Sequence, residues 1–200
     1  VDIDTGSLMK QFRADRRRLP AKLFHRRVQR NIAATMLGLR VLLRILKPIK
    51  VLLKYDTIDK GLNTLTRLSK GRIPAINPYM RAATGILPAE NDQADVIYFP
   101  ACLTRMLGTP DKETLPIADA FVEILKQAGI KHAYPQKAHA LCCGLSFSSK
   151  GYSEAALQSA IQTTEMLWIS SNEGQTPIVM DTSPCTRHLQ QYHEILSGTH

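Results

Sequence analysis

No run of about 20 apolar residues, the length needed to cross a bilayer, occurs in this sequence of 200 residues. Arg40, Arg44 and Lys47 interrupt even the richest apolar stretch, so no membrane-spanning helix is expected. The amino terminus carries no apolar leader and the chain has only four cysteines, which argues against a secreted disulfide scaffold. Two of the four, Cys142 and Cys143, are adjacent, and adjacent residues cannot bond to each other without straining the peptide between them. They read as thiols or ligands in a reducing, cytoplasmic compartment. Gly-rich phosphate loops of the G-x-G-x-x-G or Walker type are absent, so neither NAD nor ATP is expected. His132 and His139 lack a neighbouring carboxylate or nucleophile pattern, and no catalytic residue or substrate chemistry is assigned to this chain.

What is present is a composition that folds: 44% hydrophobic against 22% charged residues, where disorder would need far fewer apolar side chains. The net charge of +9 is concentrated at one end. Val1 to Lys54 holds fourteen Lys and Arg against three Asp, whereas Tyr55 to His200 holds twelve against fourteen acids. Within the basic part, Phe24, Val28, Ile32, Met36, Leu39, Leu43 and Leu46 recur at steps of four and three, the signature of one apolar stripe on a helix starting at Leu19. Pro48 is expected to break or bend it. A second helical pattern covers Val51 to Ser69. The stripe lies opposite Arg26, Arg30, Arg40 and Arg44. A nucleic-acid patch has no use for such a sustained apolar face, so docking on an acidic partner domain ranks first and contact with anionic lipid second.

Pro74, Pro78, Gly85 and Pro88 make 73–93 read as a linker, dividing a helical segment, 1–72, from a module at 94–200. The module reads as strand, helix, strand, helix, strand. Asp95 to Phe99 is β-rich and stops at Pro100. Helical spacing follows in Leu115 to Gly129, a weaker strand in Lys131 to Tyr134, a helix in Ser153 to Asn172 and a last strand in Pro177 to Asp181. Ser183 reads as the cap of a final helix. The fold class is therefore α/β, a helical amino-terminal segment followed by a small parallel sheet with right-handed crossovers.

Each cysteine group sits just past a strand or an apolar approach: Cys102 after Phe99-Pro-Ala, Cys142-Cys143-Gly144 after Ala140-Leu, and Cys185 after Asp181-Thr-Ser-Pro. Parallel strands end along one edge, where ligands bind, so the three loops can converge there. In a regular strand Cys142 and Cys143 would face opposite sides, and Gly144 supplies freedom for a turn that lets both serve one centre. Cysteine is also a common buried apolar residue, and four thiolates suit zinc as well, although zinc sites favour Cys-x-x-Cys pairs that are missing here. Ser146 and Lys150 follow the cysteine pair as candidates to tune a bound group, as hydrogen-bond donors around a metal do. Arg105 and Arg187, each a few residues beyond a proposed ligand, could act in the same way, although solvated surface arginines are the more ordinary reading.

The pattern Cys102, Cys142-Cys143-Gly144, Cys185 resembles the cysteine-rich CCG domain of heterodisulfide reductase B subunits, of glycolate oxidase and glycerol-3-phosphate dehydrogenase iron–sulfur subunits, and of fused D-lactate dehydrogenases. Tyr98-Phe-Pro-Ala-Cys102, Cys142-Cys-Gly-Leu-Ser-Phe-Ser-Ser-Lys-Gly151 and Asp181-Thr-Ser-Pro-Cys185 are most similar to the fused flavin and iron–sulfur D-lactate or D-2-hydroxyglutarate dehydrogenases that do not use NAD. The resemblance spans about residues 95 to 190 and implies an iron–sulfur cluster, of the 4Fe-4S type, with Cys102, Cys142, Cys143 and Cys185 as ligands. It also implies partners: a ferredoxin-like domain, whose trailing segment Val1-Asp-Ile-Asp-Thr-Gly6 resembles, and an FAD-binding domain, both in the same polypeptide, with peripheral membrane or quinone contact. The chain is then expected to be a fragment of an oxidoreductase, inactive by itself. Where the fullest family pattern ends in Cys-x-x-Cys, this sequence has His188, a candidate, with Ser146 and Lys150, to tune the bound group, although a histidine on a first helical turn is more often exposed or capping than a ligand. The rival is a non-catalytic interaction module, zinc-stabilised or free of any cluster.

Overall fold

The computed structural model describes residues 5–52, 55–69, 81–83, 94–109 and 114–197. Four helices open the chain: α1 (Thr5–Asp15), α2 (Leu19–Arg30), α3 (Ile32–Leu52) and α4 (Tyr55–Leu68). Next come β1 (Arg81–Ala82), β2 (Val96–Tyr98), α5 (Cys102–Met106), β3 (Leu107–Gly108) and α6 (Ile117–Gln127). The rest comprises β4 (His132–Ala133), a 3-10 turn (Ala138–Ala140), α7 (Leu145–Ser148), α8 (Ser153–Ser170), β5 (Ile178–Val179), α9 (Ser183–Gln190) and α10 (Tyr192–Ser197).

The core is a three-stranded parallel sheet in the order β4-β2-β5. Ile97 of the central strand lies beside Ala133 on one side and Ile178 on the other. Alternate residues of a strand point to opposite faces, and the packing follows that rule. Tyr98, fully buried, meets Phe121, Ala118 and Val122 of α6, while Phe99 meets Met166 and Leu167 of α8 together with Leu189 of α9. The expected α/β module with a small parallel sheet is thus what the chain forms.

Several details differ from the sequence reading. The apolar stripe is not on one helix, because α2 ends at Arg30 and α3 begins at Ile32. Asn31 makes the break: its side-chain amide donates to the Arg27 carbonyl at 2.9 Å, closing the end of α2 as a capping residue does. Position 48 lies inside α3, which continues to Leu52, so the proline does not end the helix. Met36 and Leu43 of the stripe are buried, Val28 and Ile32 are half-buried, and Phe24 and Leu39 are exposed; the side chain of Leu46 lies outside the described residues. Residues 73–93 include β1, which pairs antiparallel with β3; 73–80 and 84–93 lie outside the described residues. Ser183 is the first helical residue rather than the cap. Thr182 occupies the cap position without a capping bond, because its hydroxyl is turned to the Asp181 carboxylate at 2.9 Å.

The basic helices lie against the module. Ala21, Val28 and Ile32 pack on Phe147, Tyr152, Ala155 and Ala156, and the His25 ring stacks on Tyr152 with centroids 3.5 Å apart. Arg13 donates to the Ser149 carbonyl at 2.6 Å, Arg17 to the Lys150 carbonyl at 2.9 Å, and Arg26 pairs with Glu154 at 2.8 Å. Part of the local positive charge is therefore used inside the chain, on carbonyls just past α7 and on the first turn of α8, where an acid is favoured by the helix dipole.

Candidate metal centre

Three loops at the carboxyl edge of the sheet carry the cysteines. Pro100 ends β2, Ala101 is extended, and Cys102 opens α5. The chain leaves the turn at 138–140 in extended form through Leu141 and reaches Cys142 and Cys143. Gly144 then turns with φ +79°, a left-handed conformation, and starts α7. Pro184 sits in the first turn of α9, placing Cys185 in that turn.

The folding brings the four sulfurs together in two pairs. Cys102 and Cys142 share a hydrogen bond with sulfurs 4.0 Å apart, and Cys143 and Cys185 share one at 3.2 Å. Cys142 and Cys143 are adjacent in the chain, which brings the two pairs side by side. Cys142, Cys143 and Cys185 are buried and Cys102 is half-buried. The Gly144 turn comes after the vicinal pair, so Cys142 and Cys143 also reach different outer partners.

The sulfurs differ in proton affinity. The Cys142 thiol is held well below its usual range by the hydrogen bonds from Cys102 and Cys143, assisted by the Gly144 N–H and the charge of Arg105. Cys185 is lowered by its bond with Cys143. Cys102 and Cys143 are pushed up, because they donate to those neighbours and are themselves buried. The downward shifts at Cys142 and Cys185 favour the thiolate, the form that ligates metal.

Four groups hold the loops in place. The Asp181 carboxylate accepts from the Tyr98 hydroxyl and from the Ala101 N–H, each at 2.9 Å, tying the Cys102 loop to the Cys185 loop. Thr163 of α8 donates to the Cys142 carbonyl at 3.0 Å, and Tyr192 of α10 donates to the Cys143 carbonyl at 2.8 Å. Arg105 donates to the carbonyls of Pro100, Ala138 and Leu141, joining the Cys102 loop to the approach of Cys142. It lies over the Phe99 ring, 5.9 Å from its centre.

Arg105 corrects the reading of a solvated surface arginine, for it is only 4% exposed. Its position three residues past Cys102 on a helix, which puts both on one face, was the available signal. Arg187 is exposed. His188 is buried in α9, edge-on to Tyr192 with ring centroids 5.8 Å apart, so it is neither exposed nor a cap. Ser146 and Lys150 are exposed, and Lys150 engages Arg17 through its carbonyl rather than its ammonium. The buried cation beside the thiols is Arg105. Asp181, Thr163 and Tyr192 gave no sequence signal, since their role is to bond main-chain atoms of residues far away along the chain.

Gly144 is the most constrained backbone position of the site. A Cβ there would lie 3.0 Å from Ser159 Cβ and 3.2 Å from the Ala156 carbonyl oxygen, at a φ that L side chains rarely adopt. Gly144→Ala is expected to lose roughly 2 kcal/mol of stability from strained φ and close contact together, measured by urea unfolding. A loss under about 0.5 kcal/mol, the range of a neutral surface change, would contradict this geometry.

Among the described residues, no three or more His, Cys, Asp or Glu are arranged to hold a single metal ion. Four soft sulfur donors beside a buried cation suit, by their chemistry, an iron–sulfur cluster or another thiolate-bound metal. The described helices include none long and apolar enough to cross a membrane.

Residues 96–190 match the model of a protein family described as CCG, cysteine-rich domain. No curated protein and no solved structure matches the chain. The match starts in β2 and ends with α9, so it takes in the whole parallel sheet and all four cysteines, and it supports an iron–sulfur or metal-binding role. The segment that presents these thiols at its strand edge belongs to the cysteine-rich CCG domain family.

Proposed function

We propose that this chain is the iron–sulfur electron-transfer region of an FAD-dependent D-lactate or other D-2-hydroxyacid dehydrogenase, passing electrons toward a quinone or another acceptor. The observation that carries the reading is the meeting of four thiols in two pairs, 3.2 and 4.0 Å apart, on a CCG domain. Cys102, Cys142, Cys143 and Cys185 would hold the cluster, which when bound supplies one-electron transfer. The chain's own residues do the rest. Tyr98, Phe99 and Leu141 are almost fully buried beneath the site and exclude water from that side. Asp181, Arg105, Thr163 and Tyr192 tie the main chain of the ligand loops to one another and to the helices behind them. Oxidation of the hydroxy acid belongs to the flavin domain, with the flavin and ferredoxin-like domains of the same polypeptide as partners. The exposed face of α2, with Leu19, Leu23 and Phe24, is the surface offered to such a domain.

The test is redox behaviour of the reconstituted chain. Broad visible absorbance is expected to bleach on anaerobic addition of dithionite and to return with a quinone analogue, as an iron–sulfur centre cycles and zinc does not. A colourless, zinc-containing chain would reject the reading.

A further inference from the structure

Arg105 is the largest charged group sealed into the module, and the arrangement around it is specific. Its three donors go to Pro100, Ala138 and Leu141. Those carbonyls belong to the two chain segments that lead into Cys102 and Cys142. The planar fork of a guanidinium can hold several acceptors in fixed directions, which a lysine cannot. No carboxylate is among these partners, so the positive charge is not spent on an ion pair by them. The groups able to carry negative charge that act favourably on it are the thiols of Cys102 and Cys142 and, less strongly, the Asp181 carboxylate. Arg40 of α3 adds a second positive charge that repels Arg105, and α3 packs against both α5 and the turn at 138–140.

We propose that Arg105 is the positioning residue and fixed counter-charge of the cysteine centre: it sets the Cys102–Cys142 spacing through three carbonyls and raises the reduction potential of the group bound there. The second half rests on the iron–sulfur reading above; the first does not. A buried cation stabilises the more negative, reduced form of a cluster, and charge is one of the levers that set such potentials. No Arg105 hydrogen bond goes to Cys143, Cys185 or the segment leading into Cys185, so the spacing of that pair is expected to depend far less on the Arg105 fork.

Two measurements on the full chain separate the halves. In the metal-free chain, diamide oxidises a thiol pair: two thiols give up two protons and two electrons, a disulfide forms, and diamide is reduced to its hydrazine. Peptide mapping then reads how much of the Cys102 peptide, and how much of the Cys185 peptide, is linked to the peptide carrying Cys142 and Cys143. Arg105→Gln is expected to lower the Cys102 link several-fold while leaving the Cys185 link unchanged. An unchanged Cys102 link, or an equal loss of both links, would overturn the positioning role, the second by showing general loosening. In reconstituted protein, Arg105→Gln is expected to shift the midpoint potential to more negative values, with Arg105→Lys near the wild type. Equal potentials in all three would overturn the counter-charge role. Should Arg105→Gln fail to fold, Arg105→Lys carries the thiol measurement, with a partial loss of the Cys102 link expected and no loss counting against the proposal. Should the wild type bind no iron, the electron-transfer reading falls and takes the counter-charge role with it, while the thiol mapping still decides positioning.

Discussion

Cys143→Ser and Cys185→Ser are each expected to remove most of the iron, and most of the broad visible absorbance, from anaerobically reconstituted chain. The two sulfurs are 3.2 Å apart and both are buried, packed with Ala101, Leu145, Met180 and Leu189. Serine has nearly the same volume, so packing alone loses little. A hydroxyl is a poor substitute for a soft thiolate on iron, so ligation loses a great deal. The main-chain bond from Tyr192 to the Cys143 carbonyl survives the change, which keeps the loop in place and separates loss of a ligand from loss of the fold. Metal-free variants should therefore unfold near the wild-type midpoint. His188→Ala is expected to retain a reduced but detectable cluster, because His188 packs edge-on against Tyr192, the residue that bonds to the Cys143 loop. Iron content unchanged in both cysteine variants would sink the shared site.

The largest stability effect is expected at Asp181. Its carboxylate accepts from the Tyr98 hydroxyl, the Ala101 N–H and the Thr182 hydroxyl, and two of these donors sit in the Cys102 loop or the central strand. Tyr98 is fully buried and Ala101 nearly so; burial and the neighbouring carboxylate push the Tyr98 phenol well above its ordinary pKa, so it remains a donor. Asp181→Ala leaves both donors unsatisfied at about 1–3 kcal/mol for each. Because Asp181 itself is half-buried and water can reach part of the vacated space, the expected total is about 3 kcal/mol, read from urea unfolding of the metal-free chain. Asp181→Asn keeps one acceptor oxygen and is expected to lose roughly half as much. The same variant should hold less iron, since Asp181 ties the Cys102 loop to the Cys185 loop. A loss below about 0.5 kcal/mol for Asp181→Ala, no more than a typical surface substitution, would show that these bonds do not hold the edge together.

What could be read from the residues was local. Val96 to Tyr98 and Ile178 to Val179 form strands because β-branched and aromatic residues lie between turn-forming neighbours, and α6 and α8 follow their apolar spacing to Gln127 and Ser170. The meeting of the cysteine loops was legible for a topological reason, since parallel strands share one carboxyl edge. What was not legible depended on distant partners. Helix α1 has no buried residue of its own and no stripe to reveal it. Strand β1 is two residues long and exists through its pairing with β3. The split of the stripe at Asn31 turned on one side-chain bond to Arg27, an interaction that apolar periodicity does not register. Arg105 was misread because charge is ordinarily a surface property, whereas three main-chain carbonyls from separate segments offset its burial here.

What the four thiols bind decides whether this is an iron–sulfur site. Iron and acid-labile sulfide, measured per chain on anaerobically purified wild-type protein, are expected at about four of each, the content of a cubane cluster held by four cysteines. Zinc at about one per chain, or neither metal nor sulfide after reconstitution, would contradict the iron–sulfur reading.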